Sequence, residues 1–312
     1  MKAIVQHELG GPEVLRLEEV PAPEPIPTEV QVRVRAAGVN PVDFKTRGGK
    51  GMASVLGAPP FTVGWDVCGE VTAVGMGVTR FAVGDEVFGM PWFPRQAGAY
   101  AEYVTAPSRH FEHKPHAFSA EEAGALPLAG LTAWQIVVDT IRVQAGDDVL
   151  IHGGAGGVGH LAVQIAAARG ASVIATARRE QADFLEGLGA RRVLDYRDDD
   201  FDSQLSDLDS VIDFTGSYGE RSLAVMRPGA TLVSVPSGVD PSLHELADAQ
   251  HKRSTGILVE PDPVGLAGLC DLIERGKLEI EVGEAFDLER AADAHRHAEE
   301  SHGAGKIVLR VP

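Results

Sequence analysis

Thiols are scarce in this 312-residue chain: Cys68 and Cys270 are the only cysteines, and they lie far apart in sequence. Two such residues cannot build a disulfide framework, so both are expected as free, buried thiols in a reducing compartment. Long apolar runs are lacking too. None approaches the roughly 20 residues that a membrane-spanning helix needs. Positive charge is in deficit, with 28 Lys and Arg against 45 Asp and Glu and a net charge of −17. That balance disfavours broad binding to nucleic acid or to anionic membranes. The opening MKAIVQHELGG lacks the charged-then-apolar pattern of a secretory signal. A soluble, cytoplasmic protein is the expectation.

What is present is glycine, valine and two contrasting textures. Up to about residue 110, short apolar runs at 30–36, 66–74, 86–90 and 99–105 are separated by turn residues, as in AVGDEV. This predicts a compact β-rich region. Near residue 120 the texture changes. Ser119 and Glu122 have the spacing of a capping box, and they open a helical run that Pro127 should kink or divide. Strands predicted at 148–152, 172–176, 193–194, 210–214, 231–235 and 254–259 then alternate with helices, notably 158–169, 180–188 and 218–226. Repeated strand–helix–strand units imply a parallel sheet covered on both faces. Helices at 263–275 and 288–300 and a last strand at 305–311 follow, and that strand is expected to rejoin the first region.

Strand 148–152 runs directly into Gly154-Ala155-Gly156-Gly157-Val158-Gly159. A G-x-G-x-x-G that leaves a strand and enters a helix suits a dinucleotide. Gly154 is expected to make the tight turn, Gly156 to admit a pyrophosphate, and Gly159 to let helix and strand approach. The helix N-terminus offers amide donors and a positive dipole end. The alternative is a glycine turn that binds nothing. The second strand of the unit ends Thr176-Ala177-Arg178-Arg179, where a protein selecting NAD places a carboxylate for the ribose. Guanidinium groups there favour the 2′-phosphate of NADP. Otherwise the two arginines are solvated at a helix start.

Together with GGPEVLRLEEVPAPEP, AAGVNPVDFKTRGG, TVGWDVCGEVTAVG, FAVGDEVFG, GAYAEYV, LPLAGLTAWQ, GGAGGVG, VLDYRDDDF and GAGKIVLRV, these features resemble the medium-chain dehydrogenase/reductase superfamily, in its zinc-independent quinone oxidoreductase branch. The resemblance spans essentially the whole chain. It implies an α/β architecture with a GroES-like β-rich catalytic domain (1–125 and 261–312) and a doubly wound Rossmann domain (126–260) that binds NADP(H). Zinc alcohol dehydrogenases carry a cysteine where this chain has Asn40 and a His-Glu pair where it has Trp65-Asp66; they also carry four clustered cysteines. No metal is therefore expected.

By the same resemblance Asn40 lies beside the nicotinamide and supports a developing enolate or hydroquinone oxygen. Asp43 anchors its turn. Lys45 holds ribose or relays a proton, or is merely a surface lysine paired with Asp43. Thr132 packs on the nicotinamide and Tyr196 lies near the adenosine end. Thr215, Gly216, Ser237 and Gly238 follow sheet strands on the cofactor side. Lys306 is a cofactor-side lysine or a structural ion pair. Phe44, Trp65, Trp92 and Phe93 line a pocket for a flat acceptor or pack as ordinary core. The implied activity is NADPH-dependent reduction of a quinone or an α,β-unsaturated carbonyl. A pathway-specific enoyl reductase and an NADPH-holding redox sensor are the alternatives. The stretch 254–259 is expected to pair with its mate in a homodimer.

Overall fold

The computed structural model describes residues 1–197, 200–235, 240–300 and 305–312. Fifteen strands are described: β1 (Lys2–Val5), β2 (Arg16–Glu19), β3 (Glu29–Val39), β4 (Val67–Val74), β5 (Glu86–Gly89), β6 (Tyr103–Pro107), β7 (Phe111–His113), β8 (Asp148–His152), β9 (Ser172–Ala177), β10 (Ala190–Asp195), β11 (Leu208–Asp213), β12 (Met226–Ser234), β13 (Arg253–Thr255), β14 (Val282–Asp287) and β15 (Lys306–Arg310). Among the described residues no helix is long and apolar enough to cross a membrane. Both cysteines are free; Cys68 is buried and Cys270 is half-buried.

Two compact units divide the chain. The first takes Met1–Leu131, Glu260–Glu274 and Ile280–Pro312. Its seven-stranded sheet runs β14–β15–β3–β4–β5–β7, with β6 also paired to β3, and β1 and β2 form a separate antiparallel ribbon. Strand β3 shows why the sheet forms. Val30, Val32 and Val34 alternate into the core, while Arg33 and Arg35 face outward and share Glu70; this is the period-two pattern of a half-buried strand. From Ala36 to Val39 both faces are covered. The helix Ala120–Ala125 crosses there so closely that a Cβ on Gly124 would meet that of Ala36 at 2.7 Å. Ser119 and Glu122 close the expected capping box, each accepting the other's backbone N–H, at 3.2 and 2.7 Å. Pro127 divides the run as expected, opening a second helix, Pro127–Trp134. The turn read at Asn40 is in fact the start of a helix, Pro41–Arg47, with proline at its first position.

The second unit takes Thr132–Val259 and Arg275–Glu279. Its six strands are all parallel, in the order β10–β9–β8–β11–β12–β13. Numbered from β8 this is 3-2-1-4-5-6, the doubly wound nucleotide-binding order. The helix Gly159–Ala168 follows β8 and buries its first eight residues. Farther along, Gln164 Nε2 donates to the Glu279 carbonyl and its Oε1 accepts the Glu279 N–H, fixing the late segment to this unit. The strand expected over 254–259 is shorter than its apolar pattern suggested. Pairing stops at Thr255; Gly256 brings no side chain to pack, and Leu258 is 59% exposed.

Candidate active site

In the second unit the site begins where β8 ends. The left-handed backbone that the turn requires falls on Gly153, at φ +73°, and not on Gly154 as expected. Gly154 is needed for a different reason: a Cβ there would meet that of Ala175 on β9 at 2.8 Å. Gly159 is the most confined, because its Cβ would lie 2.2 Å from the Gly153 carbonyl oxygen. Gly156 is exposed, and a Cβ there would meet only the Gly153 carbonyl oxygen, at 3.3 Å. Three glycines thus serve packing or turn geometry, while Gly156 leaves an open cradle. Ala155 is buried, and Gly157 and Val158 are half-buried as the chain enters the helix.

The neighbouring loop, after β11, is held by a residue the sequence reading missed. Asp213 is buried; its Oδ1 accepts from the Thr215 N–H, the Thr215 hydroxyl and the Gly216 N–H at 2.7–3.0 Å, and its Oδ2 from the Tyr218 N–H at 3.1 Å. Thr215 and Gly216 are thereby fixed but exposed, and the Thr215 methyl lies 3.2 Å from where a Gly153 Cβ would stand. Strands β8 and β11 flank the point where strand order reverses, the crevice where such sheets bind ligands. An aspartate at the end of an apolar strand, two residues before Thr215-Gly216, was the available signal. Ser237 and Gly238 lie outside the described residues.

Thr176 and Ala177, at the end of β9, are buried. The Thr176 hydroxyl accepts the Gly153 N–H and touches His152 Nδ1, so it braces the glycine loop from behind. Arg178 is half-buried and donates from Nε to the Tyr196 hydroxyl at 3.3 Å. Arg179 is exposed, and its backbone N–H donates to Asp195 Oδ2. A third guanidinium, Arg197, joins them although the sequence reading passed over it. It grips Asp195 in a bidentate pair at 2.7 and 3.0 Å and approaches Glu180 at 3.3 Å. The Arg197 hydrogen bonds hold the Asp195 carboxyl well below the usual range. Asp195 is therefore committed to arginine and to backbone amides. Thr132 is buried in the helix Pro127–Trp134.

The first unit holds a separate, buried cluster. Asn40 caps the helix Pro41–Arg47; its Nδ2 donates to Asp66 Oδ2 at 2.8 Å and its Oδ1 accepts from the Lys306 ammonium. Lys306 also reaches the Val39 carbonyl and lies 4.0 Å from Asp66. Asp66 Oδ1 accepts the Leu128 N–H at 2.6 Å. Gly38 has no Cβ, which would otherwise meet Asp66 Oδ2 at 2.5 Å. Burial lowers the Lys306 pKa and raises that of Asp66 to about 6. Asp43 is raised to about 7, first by burial and then by the charge of Asp66. Lys306 thus makes the ion pair that was one of the two roles expected of it. Lys45 is exposed, whereas Asp43 turns inward to the Asn40 N–H and the Tyr100 hydroxyl; the surface pair between Lys45 and Asp43 does not form.

The aromatic residues expected around an acceptor are mostly packed inside this unit. Trp65 is 0% exposed, donates to the Arg95 carbonyl and meets Phe93 edge-on at 5.4 Å. Trp92 packs against the core, donates to the Thr105 carbonyl and stands edge-on to His110. Their indole N–H groups find partners, as buried tryptophans require. Phe44 is half-buried beside His295. Trp65 and Phe93 are thus buried packing partners, one of the two roles expected of them.

Residues 26–116 match the alcohol dehydrogenase GroES-like domain, and residues 188–309 match a zinc-binding dehydrogenase family. The NADPH-dependent alkenal/one oxidoreductase of Arabidopsis thaliana chloroplasts is 33% identical over 99% of this chain and 79% of its own length. The solved quinone oxidoreductase of Coxiella burnetii is 39% identical, superposes with a TM-score of 0.93 and is covered over 99% of its length by the whole of this chain. The Escherichia coli quinone oxidoreductase, solved in complex with NADPH, is 28% identical with a TM-score of 0.85, over 99% of this chain and 100% of that one. The chain belongs to the medium-chain dehydrogenase/reductase superfamily, as a quinone oxidoreductase-like protein.

For a member of that superfamily the question of zinc arises, and the donor set does not fit it. Where zinc relatives place ligands, this quinone oxidoreductase-like chain has an indole with no lone pair to give and an amide oxygen already facing a lysine ammonium. Among the described residues no three His, Cys, Asp or Glu side chains gather as a metal site would require.

Proposed function

We propose that this chain is an NADPH-dependent reductase that passes hydride to a quinone or to the β-carbon of an α,β-unsaturated carbonyl, with no metal in the reaction. The observation that carries the reading is the second unit's open glycine cradle at the switch point of a 3-2-1-4-5-6 sheet, next to a cluster of three arginines. The relatives named for quinones, alkenals and NADPH support it.

Bound NADPH supplies the hydride. The chain's residues bind and orient it. Gly156 gives the pyrophosphate room, and the helix beginning at Gly159 turns its positive end toward it. Arg178, with Tyr196 alongside, holds the 2′-phosphate, and Arg179 adds charge. Arg197 neutralises Asp195, which would otherwise repel that phosphate. Asp213 fixes the Thr215–Gly216 shelf next to the nucleotide. Thr132 packs on the nicotinamide; in the first unit Asn40 supports the developing oxygen, and Lys45 stands exposed, suited to ribose or to proton exchange with water. Without a Lewis acid, only an electron-poor acceptor takes hydride readily: a quinone, NADPH and one proton give a hydroquinone and NADP⁺. The outer edge of the parallel sheet at β13 pairs two copies of the chain.

The test is NADPH oxidation against a panel of quinones, enals and enones, repeated with NADH and after chelation. Turnover that prefers NADPH and ignores chelator is expected. Saturation of enones without quinone turnover would narrow the activity to an enoyl reductase. Tight NADPH binding with no turnover on any acceptor would replace the reductase by a redox sensor.

A further inference from the structure

Behind the Asn40 turn, side chains from separate stretches of the first unit join in one hydrogen-bonded line. Arg47 Nη1 meets His295 Nδ1 at 3.0 Å, His295 Nε2 meets the Tyr100 hydroxyl at 3.0 Å, and that hydroxyl meets Asp43 Oδ2 at 3.0 Å. The same carboxylate oxygen accepts the Asn40 backbone N–H at 2.7 Å. At the outer end Arg47 pairs with Glu299 at 2.8 Å and donates to the Gly10 carbonyl at 3.0 Å. Asp43, Tyr100 and His295 are fully buried, and Asp43 Oδ1 has no hydrogen-bond partner among the described residues.

The direction of every bond follows from chemistry. A guanidinium only donates, so His295 Nδ1 must accept. The neutral ring then carries its hydrogen on Nε2 and gives it to the Tyr100 oxygen, which leaves the phenolic hydrogen for Asp43. A line so directed cannot deliver a proton to Glu299, because Arg47 offers no acceptor. It orients groups. Burial, and then the Arg47 charge, push the His295 pKa down to about 3, in keeping with a ring that stays neutral.

We propose that His295 and Tyr100 are positioning residues of the reductase site: through this one-way line the helix Ala291–Glu300 sets the Asp43 carboxylate and, with it, the Asn40 turn. The proposal rests on the reading of that turn as part of the reductase site. The titratable and charged groups facing Asp43 are Asp66, Lys306 and Tyr100, with His295 and Arg47 behind the tyrosine. Tyr100 lowers the Asp43 pKa by donating to the carboxylate. Its removal should therefore raise the Asp43 midpoint above about 7.

Nitrogen-15 NMR of the imidazole in the intact wild-type chain tests the line without reference to activity. His295 is expected as the neutral Nε2–H tautomer throughout roughly pH 5–9; an imidazolium or an Nδ1–H tautomer in that range overturns it. Kinetics test the positioning. Tyr100→Phe and His295→Leu should lower kcat roughly tenfold, the scale of one buried hydrogen bond, and leave the KM for NADPH within about twofold. Tyr100→Phe should also move the Asp43 carbon-13 titration upward. His295→Gln keeps an oxygen toward Arg47 and an N–H toward Tyr100, and should restore most of the rate. Unchanged kcat in Tyr100→Phe, or an equal loss in His295→Gln and His295→Leu, overturns the positioning alone. A wild-type chain that turns over no acceptor overturns the reductase reading and the positioning with it, while the tautomer still decides the line.

Discussion

Arginine, tyrosine and aspartate meet twice in this chain. Around Asp43, the groups of Arg47 and Tyr100 are sealed from water, and each donor in the line has one destination. Around Asp195, the side chains of Arg178, Tyr196 and Arg197 stand at the open ends of β9 and β10, and Tyr196 is 46% exposed. The same functional groups are thus used for opposite ends. Buried, they are costly to disturb and define a fixed geometry. At the surface they gain little from one another and remain ready to exchange partners for an incoming phosphate. Asp195 illustrates the difference: although its own carboxylate is covered, the arginine that satisfies it is exposed and multivalent.

The contrast can be broken in descending order of effect. Gly159→Ala sets a methyl against the Gly153 carbonyl, a backbone atom that cannot swing away. A loss of about 2–3 kcal/mol in unfolding free energy is expected, together with loss of NADPH binding. Gly156→Ala, whose Cβ would stand 3.3 Å from the same carbonyl oxygen, a tight contact rather than a clash, should lose NADPH binding with a clearly smaller loss of stability. Urea melts and fluorescence titration of both variants check the pair. Equal destabilisation would erase the distinction between packing glycine and cradle glycine.

Acid stability probes the buried cluster. Between pH 6.5 and about 3 the unfolded chain binds a proton at His295 that the folded chain refuses. Stability from this residue is therefore complete above 6.5 and lost as the pH falls through that window. Asp43 and Asp66, raised to about 7 and about 6, work in the opposite sense, because the folded chain takes up their protons first and loses that stability as pH rises. Comparing variants removes this offset: His295→Gln should lose about 2 kcal/mol less than wild type between pH 7.5 and pH 4.5, measured by chemical denaturation. Parallel curves would mean that the ring is not held neutral.

The exposed cluster should give the smallest energetic effect but the clearest specificity. Arg178→Ala is expected to weaken NADPH roughly tenfold, about 1.4 kcal/mol, and to leave NADH nearly unchanged. Equal weakening of both dinucleotides would remove Arg178 from the phosphate site.

Much of this architecture was legible in the sequence because its signals are local. The capping box at Ser119 and Glu122, the break at Pro127, the strand–helix alternation and the glycine loop each lie within a few residues of chain. The polar line was not legible: Arg47 and His295 are 248 positions apart, and Tyr100 and His295 195. No periodicity announces such a pairing. Trp65 and Phe93 stayed ambiguous for a related reason, since an aromatic beside proline or glycine reads alike whether it lines a pocket or fills a core. Arg197 was missed even though Tyr196 beside it was singled out. Its role depends on Asp195 closing β10, a register that the sequence pattern does not specify.

Strand β15 has a consequence for how the protein is made. It lies between β14 and β3, pairing Ile307 with Val39, so a segment translated long after β3 completes the interior of the sheet that β3 belongs to. During synthesis β3 must wait with that flank uncovered, while β8 to β13 can assemble from consecutive chain. A nascent chain halted before Lys306 would have an unclosed sheet to offer to chaperones.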